Sequence, residues 1–310
     1  MKILLTGSSG LLGKAVFSKL QHSPHTISTP LRAELDLSDY EQTRKFLSRN
    51  IPDFVIHCAA KVGGILGNIG DPVGFLSENI KNDFNLMSVC ADLKVAKFLY
   101  FGSSCMYPVN PDSMLEKHHL LAGLLEKTNE PYALAKLSGW KMTELISQNL
   151  GLSWKTWILS NLYGPGDHFD QNRSHLLAAI IKKVSEAKEL NHPAVEMWGS
   201  GKSRREFTFV GDVADFLASR VDTFEGLPQT LNLGSGKDES IETYYKTIFE
   251  IYGYTGELVQ NLSKPEGVFS KLMNSSEANL YNWLPKTDIR VGLQETISWY
   301  ENELRGGSND

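Results

Sequence analysis

The chain has 310 residues, of which 41% are apolar and 22% charged, and its formal net charge is −5 at pH 7. This length favours two lobes, and the composition is typical of folded globular proteins rather than disordered ones. The acidic balance argues against a broad nucleic-acid-binding surface, and no segment approaches the ~20 apolar residues of a membrane helix. We therefore expect the protein to bind neither nucleic acid nor a membrane.

Strands and helices are predicted to alternate through the first half of the chain. Short apolar runs predict buried strands at 2–6, 54–58, 98–101 and 154–159. Helices are predicted at about 11–21, after Asp39 as N-cap, at 72–93 and at 131–149. Such alternation requires crossover connections, which predicts an α/β fold with a doubly wound parallel sheet.

The alternation ends near residue 165. A helix near 174–189, short strands and a late helix near 291–304 predict a smaller lobe of mixed α/β structure. We therefore predict a nucleotide-binding domain over 1–165, to which a segment at about 205–235 returns. Residues 166–310 are then mainly a substrate-binding lobe.

A glycine motif follows the first predicted strand and opens the first predicted helix. In a Rossmann-type sheet such glycines permit a tight turn and close approach of the backbone to a pyrophosphate at a helix N-terminus. The residues predicted to bind the dinucleotide here are Gly7, Ser8, Ser9, Gly10, Leu11, Leu12 and Gly13.

The next segment favours NADP over NAD. An NAD site has an acidic residue about 20 residues after the glycines, but the stretch 26–32 has no carboxylate and ends in Arg32. A guanidinium can pair with the 2′-phosphate of NADP. Asp36, beside Leu37, is placed to accept a hydrogen bond from the adenine amine.

Tyr132 and Lys136 form a Tyr-x-x-x-Lys motif near the start of a predicted helix. Positions four apart share one helical face, so the phenol and the ammonium can share a site. A cation stabilises phenolate, so we expect a lowered Tyr132 pKa and proton exchange with a carbonyl or alcohol oxygen. Ser103 follows the strand predicted at 98–101, at the end of the sheet where ligands bind, and its hydroxyl can bind the substrate carbonyl.

These motifs together resemble the extended short-chain dehydrogenases/reductases and, among them, the GDP-L-fucose synthases. The resemblance covers nearly the whole chain, and it includes the strings 57–60 (HCAA), 59–65 (AAKVGGI), 102–108 (GSSCMYP), 128–133 (TNEPYA), 161–165 (NLYGP), 198–201 (WGSG) and 205–207 (REF). It implies epimerisation at C3 and C5 of a GDP-4-keto-6-deoxymannose, followed by reduction of C4 with NADPH.

The resemblance also implies roles for individual residues. The base and the acid of the epimerisation fall on Cys105 and His175, a thiol and an imidazole that can be tuned to work near neutral pH. The cofactor positions of these enzymes fall on Lys136, Asn161, Leu162 and His175.

The substrate positions carried over by the resemblance are Lys183, Trp198, Arg205, Glu266 and Lys271. Lys183 stands where the family typically has Arg, which keeps the charge but loses bidentate geometry. Ser9 stands where relatives often have an Arg on the 2′-phosphate, which leaves Arg32 a larger share of the NADP selectivity. No metal site is predicted.

Further expectations concern assembly and location. By the resemblance, the helices near 72–93 and 131–149 pair with a second copy into a four-helix bundle, forming a homodimer. Three cysteines without framework spacing favour reduced thiols in a cytoplasmic protein, and the N-terminus does not resemble a signal peptide.

Alternative functions remain open. One is a 4-ketoreductase on a related GDP-deoxysugar, against which the presence of both Cys105 and His175 argues. Another is a GDP-colitose-type synthase, whose substrate lacks the C3 hydroxyl and is inverted only at C5. A third is a non-enzymatic NADP-sensing protein on the same scaffold, against which Tyr132 and Lys136 argue.

Overall fold

The computed structural model describes residues 1–109, 114–170, 174–264 and 267–305. Its strands are β1 Lys2–Thr6, β2 Thr26–Ser28, β3 Phe54–His57, β4 Lys97–Ser103, β5 Ser153–Leu159, β6 Asn161–Tyr163, β7 Ala194–Trp198, β8 Arg204–Phe209, β9 Thr230–Leu233, β10 Asp238–Ser240 and β11 Glu257–Asn261. Its α-helices are α1 Leu11–Leu20, α2 Tyr40–Arg49, α3 Ile65–Gly70, α4 Pro72–Asp92, α5 Glu130–Leu150, α6 Leu176–Glu189, α7 Val210–Arg220, α8 Ile241–Tyr252, α9 Ser276–Asn279 and α10 Ile289–Trp299.

The main sheet is parallel, with its six strands in the order β2-β1-β3-β4-β5-β9. Successive side chains of β1 point to opposite faces, as the pleat requires. Ile3 and Leu5 pack in a cluster with residues of α1 and α7, whereas Leu4 packs with residues of α2 and α4. Both faces are therefore covered by helices, and the predicted doubly wound α/β fold is confirmed.

The rest of the chain forms smaller sheets and a second core. A three-stranded sheet has the order β10-β8-β6, and β7 pairs in parallel with β11. A separate apolar cluster joins α6, α8 and α10. Meanwhile β9, late in the chain, pairs with β5 in the main sheet. The division into domains at residue 165 stays a prediction.

The helix predictions agree with the structure to within a few residues. The Asp39 side chain accepts a hydrogen bond from the Gln42 amide and caps α2, as expected. In contrast, α6 begins at Leu176, so His175 is its N-cap rather than a residue inside a helix. Across the described ranges, no helix is both long enough and apolar enough to cross a membrane.

Candidate active site

The glycine loop between β1 and α1 has little room for side chains. Gly7 has a φ of +69°, and a Cβ on it would lie 2.5 Å from the Ala59 amide nitrogen. A Cβ on Gly13 would lie 2.1 Å from the Gly7 carbonyl oxygen. Gly10 precedes α1, and no side chain caps this helix. The free N–H groups at its start therefore suit a bound pyrophosphate, as the predicted dinucleotide requires.

The predicted 2′-phosphate and adenine positions follow β2. Arg32 is exposed and forms no ion pair within the described chain. Hydrogen bonds from Ser38 hold the pKa of Asp36 below its ordinary value, and Arg32 adds a smaller effect in the same direction. Leu37 is buried in the core. Arg32 is thus available for a phosphate, while one oxygen of Asp36 already accepts a hydrogen bond.

Tyr132 and Lys136 lie on the first turns of α5, where Pro131 occupies a starting position that needs no N–H donor. The Lys136 Nζ atom lies 6.0 Å from the centre of the Tyr132 ring and 4.5 Å from that of Tyr100. Lys136 is 3% exposed, so its ammonium is held inside the protein beside the phenol. The motif forms the pair that the sequence predicts.

The expected lowering of the Tyr132 pKa is not found. Burial raises the pKa of Tyr132 above its ordinary value, and Cys105 and Asp83 add to the increase. Burial also lowers the pKa of Lys136, while Asp83 partly offsets that effect. The physical reason is that removing the phenol from water penalises phenolate.

A buried polar network lies beneath Lys136 and was not predicted. The Thr6 Oγ1 and His57 Nδ1 atoms are 2.7 Å apart, and His57 Nε2 is 2.9 Å from an Asp83 oxygen. The Tyr100 hydroxyl donates to the other Asp83 oxygen at 2.6 Å. Asp83 is fully buried and gives the interior a negative charge near Lys136. No local pattern marks this network, because its members come from different elements.

Ser103 and Cys105 stand at the carboxyl end of β4. Ser103 caps a short 3₁₀ helix, and its hydroxyl accepts a hydrogen bond from the Cys105 amide at 3.3 Å. The Cys105 sulfur lies 4.0 Å from the Lys271 Nζ atom. Lys271 in turn donates to a Glu126 oxygen at 2.5 Å. Glu126 is a further site residue that the sequence analysis missed.

Arg205, on β8, lies on the same side of the molecule. Its guanidinium donates to the carbonyl oxygens of Arg204 and Val268, each at 2.7 Å. Burial lowers the pKa of Arg205, and the opposing influences come first from Glu126 and then from Cys105. The structure therefore gathers Ser103, Cys105, Tyr132, Lys136, Arg205 and Lys271 around one region.

His175 is the N-cap of α6 and lies near Asp167. Its ring interacts with Asp167, whose pKa is raised by burial, and no hydrogen bond joins it to Cys105 in the described chain. Asn161 donates to the Glu206 carbonyl at 2.8 Å, and Leu162 packs half-buried against the main core. These residues follow β5 in the chain, and the resemblance places cofactor positions on them.

Trp198 ends β7, and two ammonium groups lie close to its ring. The Nζ atoms of Lys183 and Lys264 each lie 5.1 Å from its ring centre. Its indole nitrogen donates to Glu196 at 2.8 Å. This arrangement offers an aromatic face flanked by positive charge, which suits a stacked base. Glu266 lies outside the described residues.

Known proteins match this chain along most of its length. A family model described as "NAD dependent epimerase/dehydratase family" matches residues 3–234. The chain is 41% identical to the GDP-L-colitose synthase of Yersinia pseudotuberculosis over 98% of this chain and 99% of that protein. It is 38% identical to the GDP-L-fucose synthase of Azorhizobium caulinodans over 96% of each.

A solved structure agrees with these matches. The GDP-mannoheptose C4 reductase of Campylobacter jejuni with NADP bound superposes with a TM-score of 0.86 and 29% identity, covering 97% of this chain and 98% of that one.

Proposed function

The chain belongs to the NAD dependent epimerase/dehydratase family, and we propose that it is an NADPH-dependent epimerase/reductase of a GDP-linked 4-keto-6-deoxymannose, with GDP-L-fucose as product. The observation that carries the proposal is the meeting of a thiol, Cys105, with the buried pair Tyr132 and Lys136 around the end of β4. Relatives named as GDP-sugar synthases and an NADP-bound reductase support the substrate and the cofactor.

The proposed catalytic residues move protons at the carbons beside the ketone and at the C4 oxygen, or they orient and bind the groups that react. The ketone at C4 makes the neighbouring C–H bonds acidic, so Cys105 can remove a proton from one face and His175 can return one to the other. Tyr132 donates a proton to the C4 oxygen, Lys136 orients the site, and Ser103 binds the carbonyl. NADPH, when bound, supplies the hydride for C4.

The nucleotide ends of the cofactor and the substrate have separate proposed sites. Residues 7–13 and Arg32 hold the pyrophosphate and the 2′-phosphate of NADPH, while Asp36 and Leu37 flank its adenine. Asn161 and Leu162 line the nicotinamide end. The guanine of the substrate stacks on Trp198, beside the Lys183 ammonium. Lys183 and Arg205 add positive charge at its phosphates.

The experiment that tests this function follows NADPH absorbance in the presence of GDP-4-keto-6-deoxymannose. We expect absorbance to fall only when both compounds are present. A Cys105→Ala variant should still reduce the ketosugar slowly, because reduction needs only Tyr132, Lys136 and the cofactor. No consumption of NADPH by the wild-type protein would contradict the proposal.

A second candidate is favoured by one observation. The 41% identical relative is a GDP-L-colitose synthase, at a higher identity than the fucose relative. Its chemistry would invert only C5 of a substrate without the C3 hydroxyl. Comparing kcat/KM for the two ketosugars decides between them, because a site that binds the C3 hydroxyl discriminates strongly against its absence.

We also propose that the protein is a homodimer in the cytoplasm. The helices α4 and α5 pack along each other and leave apolar side chains exposed, among them Val73 at 73%, Phe84 at 41% and Leu145 at 56%. Two such pairs would form a four-helix bundle. Light scattering at micromolar concentration should give twice the mass of one chain, and the mass of a single chain would contradict the dimer.

A further inference from the structure

An ion pair lies against the thiol of Cys105. The Lys271 Nζ atom is 2.5 Å from a Glu126 oxygen and 4.0 Å from the Cys105 sulfur. The side chains of Lys271 and Glu126 are each only 11% exposed. Thr128 donates to the other Glu126 oxygen at 2.8 Å, so the carboxylate is fixed from both sides. The ammonium group of Lys271 is therefore fixed next to the sulfur of Cys105.

The groups around the sulfur place positive charge next to it. Among the described residues, Lys271 lies 4.0 Å from the sulfur, and Arg205 from β8 and Tyr132 from α5 interact with it. Glu126 pairs with Lys271, and both Glu126 and Asp238 act on Arg205. Burial raises the pKa of Tyr132, so the phenol stays neutral. The two cations therefore act on the sulfur directly, and a cation close to a sulfur favours the thiolate.

We propose that Lys271 is a catalytic cation that stabilises the thiolate of Cys105, and that Glu126 is the positioning residue that holds it there. The inference rests on the proposed function in so far as Cys105 is the base of the epimerisation. In that step the thiolate takes a proton from the carbon beside the ketone. An S–H bond forms as the C–H bond breaks, and the electron pair passes into the enolate. Lys271 keeps its protons throughout.

The proposal predicts opposite effects from the two members of the ion pair. A unit charge 4 Å from a thiolate changes its ionisation by about tenfold or more. Lys271→Met should therefore raise the midpoint of the pH dependence of Cys105 alkylation by about one pH unit or more. Glu126→Gln removes the negative charge but keeps an oxygen that can accept from Lys271, so the ammonium stays beside the sulfur and the midpoint should fall. A purely structural cluster would not give shifts of opposite sign.

The assay is the rate of iodoacetamide alkylation of the full chain between pH 6 and 10, with the modified residue identified by peptide mass spectrometry. Cys58 and Cys90 react slowly over this range, because burial raises the pKa of both thiols. Lys271→Arg keeps the charge and should stay near the wild type. Lys246→Met is the matched control, since Lys246 pairs with Glu242 on the exposed surface of α8 at 2.6 Å.

The outcomes separate this inference from the proposed function. The inference would be overturned if Lys271→Met left the midpoint of Cys105 alkylation unchanged, or if Lys271→Met and Glu126→Gln shifted it in the same direction. If Lys271→Met does not fold, Lys271→Gln replaces it. With substrate, Lys271→Met should lower kcat for solvent deuterium exchange about tenfold with KM little changed. A raised KM alone would place Lys271 on a substrate phosphate and overturn it. Because alkylation needs no substrate, the predicted shifts in a protein without epimerase activity would overturn only the proposed function.

Discussion

Glu206 is a buried carboxylate that joins three segments of the chain. It is 0% exposed on β8, and its two oxygens accept hydrogen bonds from the Gly236 amide at 2.7 Å and the Met273 amide at 3.0 Å. Burial raises the pKa of Glu206 to about 7, against an ordinary value of 4.5, although the two N–H donors oppose the increase. Between these two pKa values the folded protein therefore keeps a proton on Glu206, whereas the unfolded chain has released it.

The sign of the effect on stability follows from that difference. Between pH 4.5 and 7 the folded state binds more protons at this site than the unfolded state, so stability falls as pH rises through this window. The interval from 4.5 to about 7, at roughly 1.4 kcal/mol per pH unit, corresponds to about 3 kcal/mol of unfolding free energy. That is a large fraction of the ~5–15 kcal/mol of a typical domain.

The perturbation is Glu206→Gln, which keeps the shape of the side chain and cannot ionise. We expect the unfolding free energy of the wild type, relative to this variant, to decrease by about 3 kcal/mol between pH 4 and pH 8. Urea unfolding at several pH values measures it, and any constant cost of the amide cancels in the comparison. Glu242→Gln, at a partly exposed position on α8, should show no trend of this size. A constant difference between wild type and Glu206→Gln across this range would refute the reasoning.

Four further changes test the site. Tyr132→Phe should lower the rate of C4 reduction by about 10²–10⁴-fold with NADPH binding retained, because the alkoxide loses its proton donor; near-normal turnover contradicts its role. Arg32→Ala should raise the KM for NADPH far more than for NADH, and equal effects would place the selectivity elsewhere. Gly13→Ala should weaken NADPH binding in a fluorescence titration, since the new Cβ would lie 2.1 Å from a backbone oxygen; unchanged affinity contradicts the close packing. His175→Asn should allow deuterium exchange to outlast net inversion, and an unimpaired inversion rate would remove it as the acid.

The sequence predicted the features that depend on local patterns. The strands β1, β3, β4 and β5 are buried except at one or both ends of β1, β4 and β5, as their apolar runs predict. The helices between them have recognisable starts. The strands β2, β6 and β10 have only three residues each, too short for a periodic signal. They form through pairing with longer neighbours, which no local window contains.

In the site, too, the sequence predicts contacts between residues that are near in the chain but not between residues that are far apart. Tyr132 and Lys136 are one helical turn apart, so their proximity follows from helix geometry. Glu126 and Lys271 are 145 residues apart, and only the folded chain brings them together. The Tyr132 pKa was misjudged for a related reason, because the sequence shows a neighbouring cation but not the burial that outweighs it.

The most direct test of the proposed chemistry is an NMR analysis of the product formed from GDP-4-keto-6-deoxymannose and NADPH in D₂O. Epimerisation exchanges protons at the carbons beside the ketone, whereas reduction alone does not. We predict an L-configured sugar that carries deuterium at C3 and C5, and a Cys105→Ala product that carries deuterium at neither. A D-configured wild-type product with hydrogen retained at both carbons would contradict the account and leave a reductase alone.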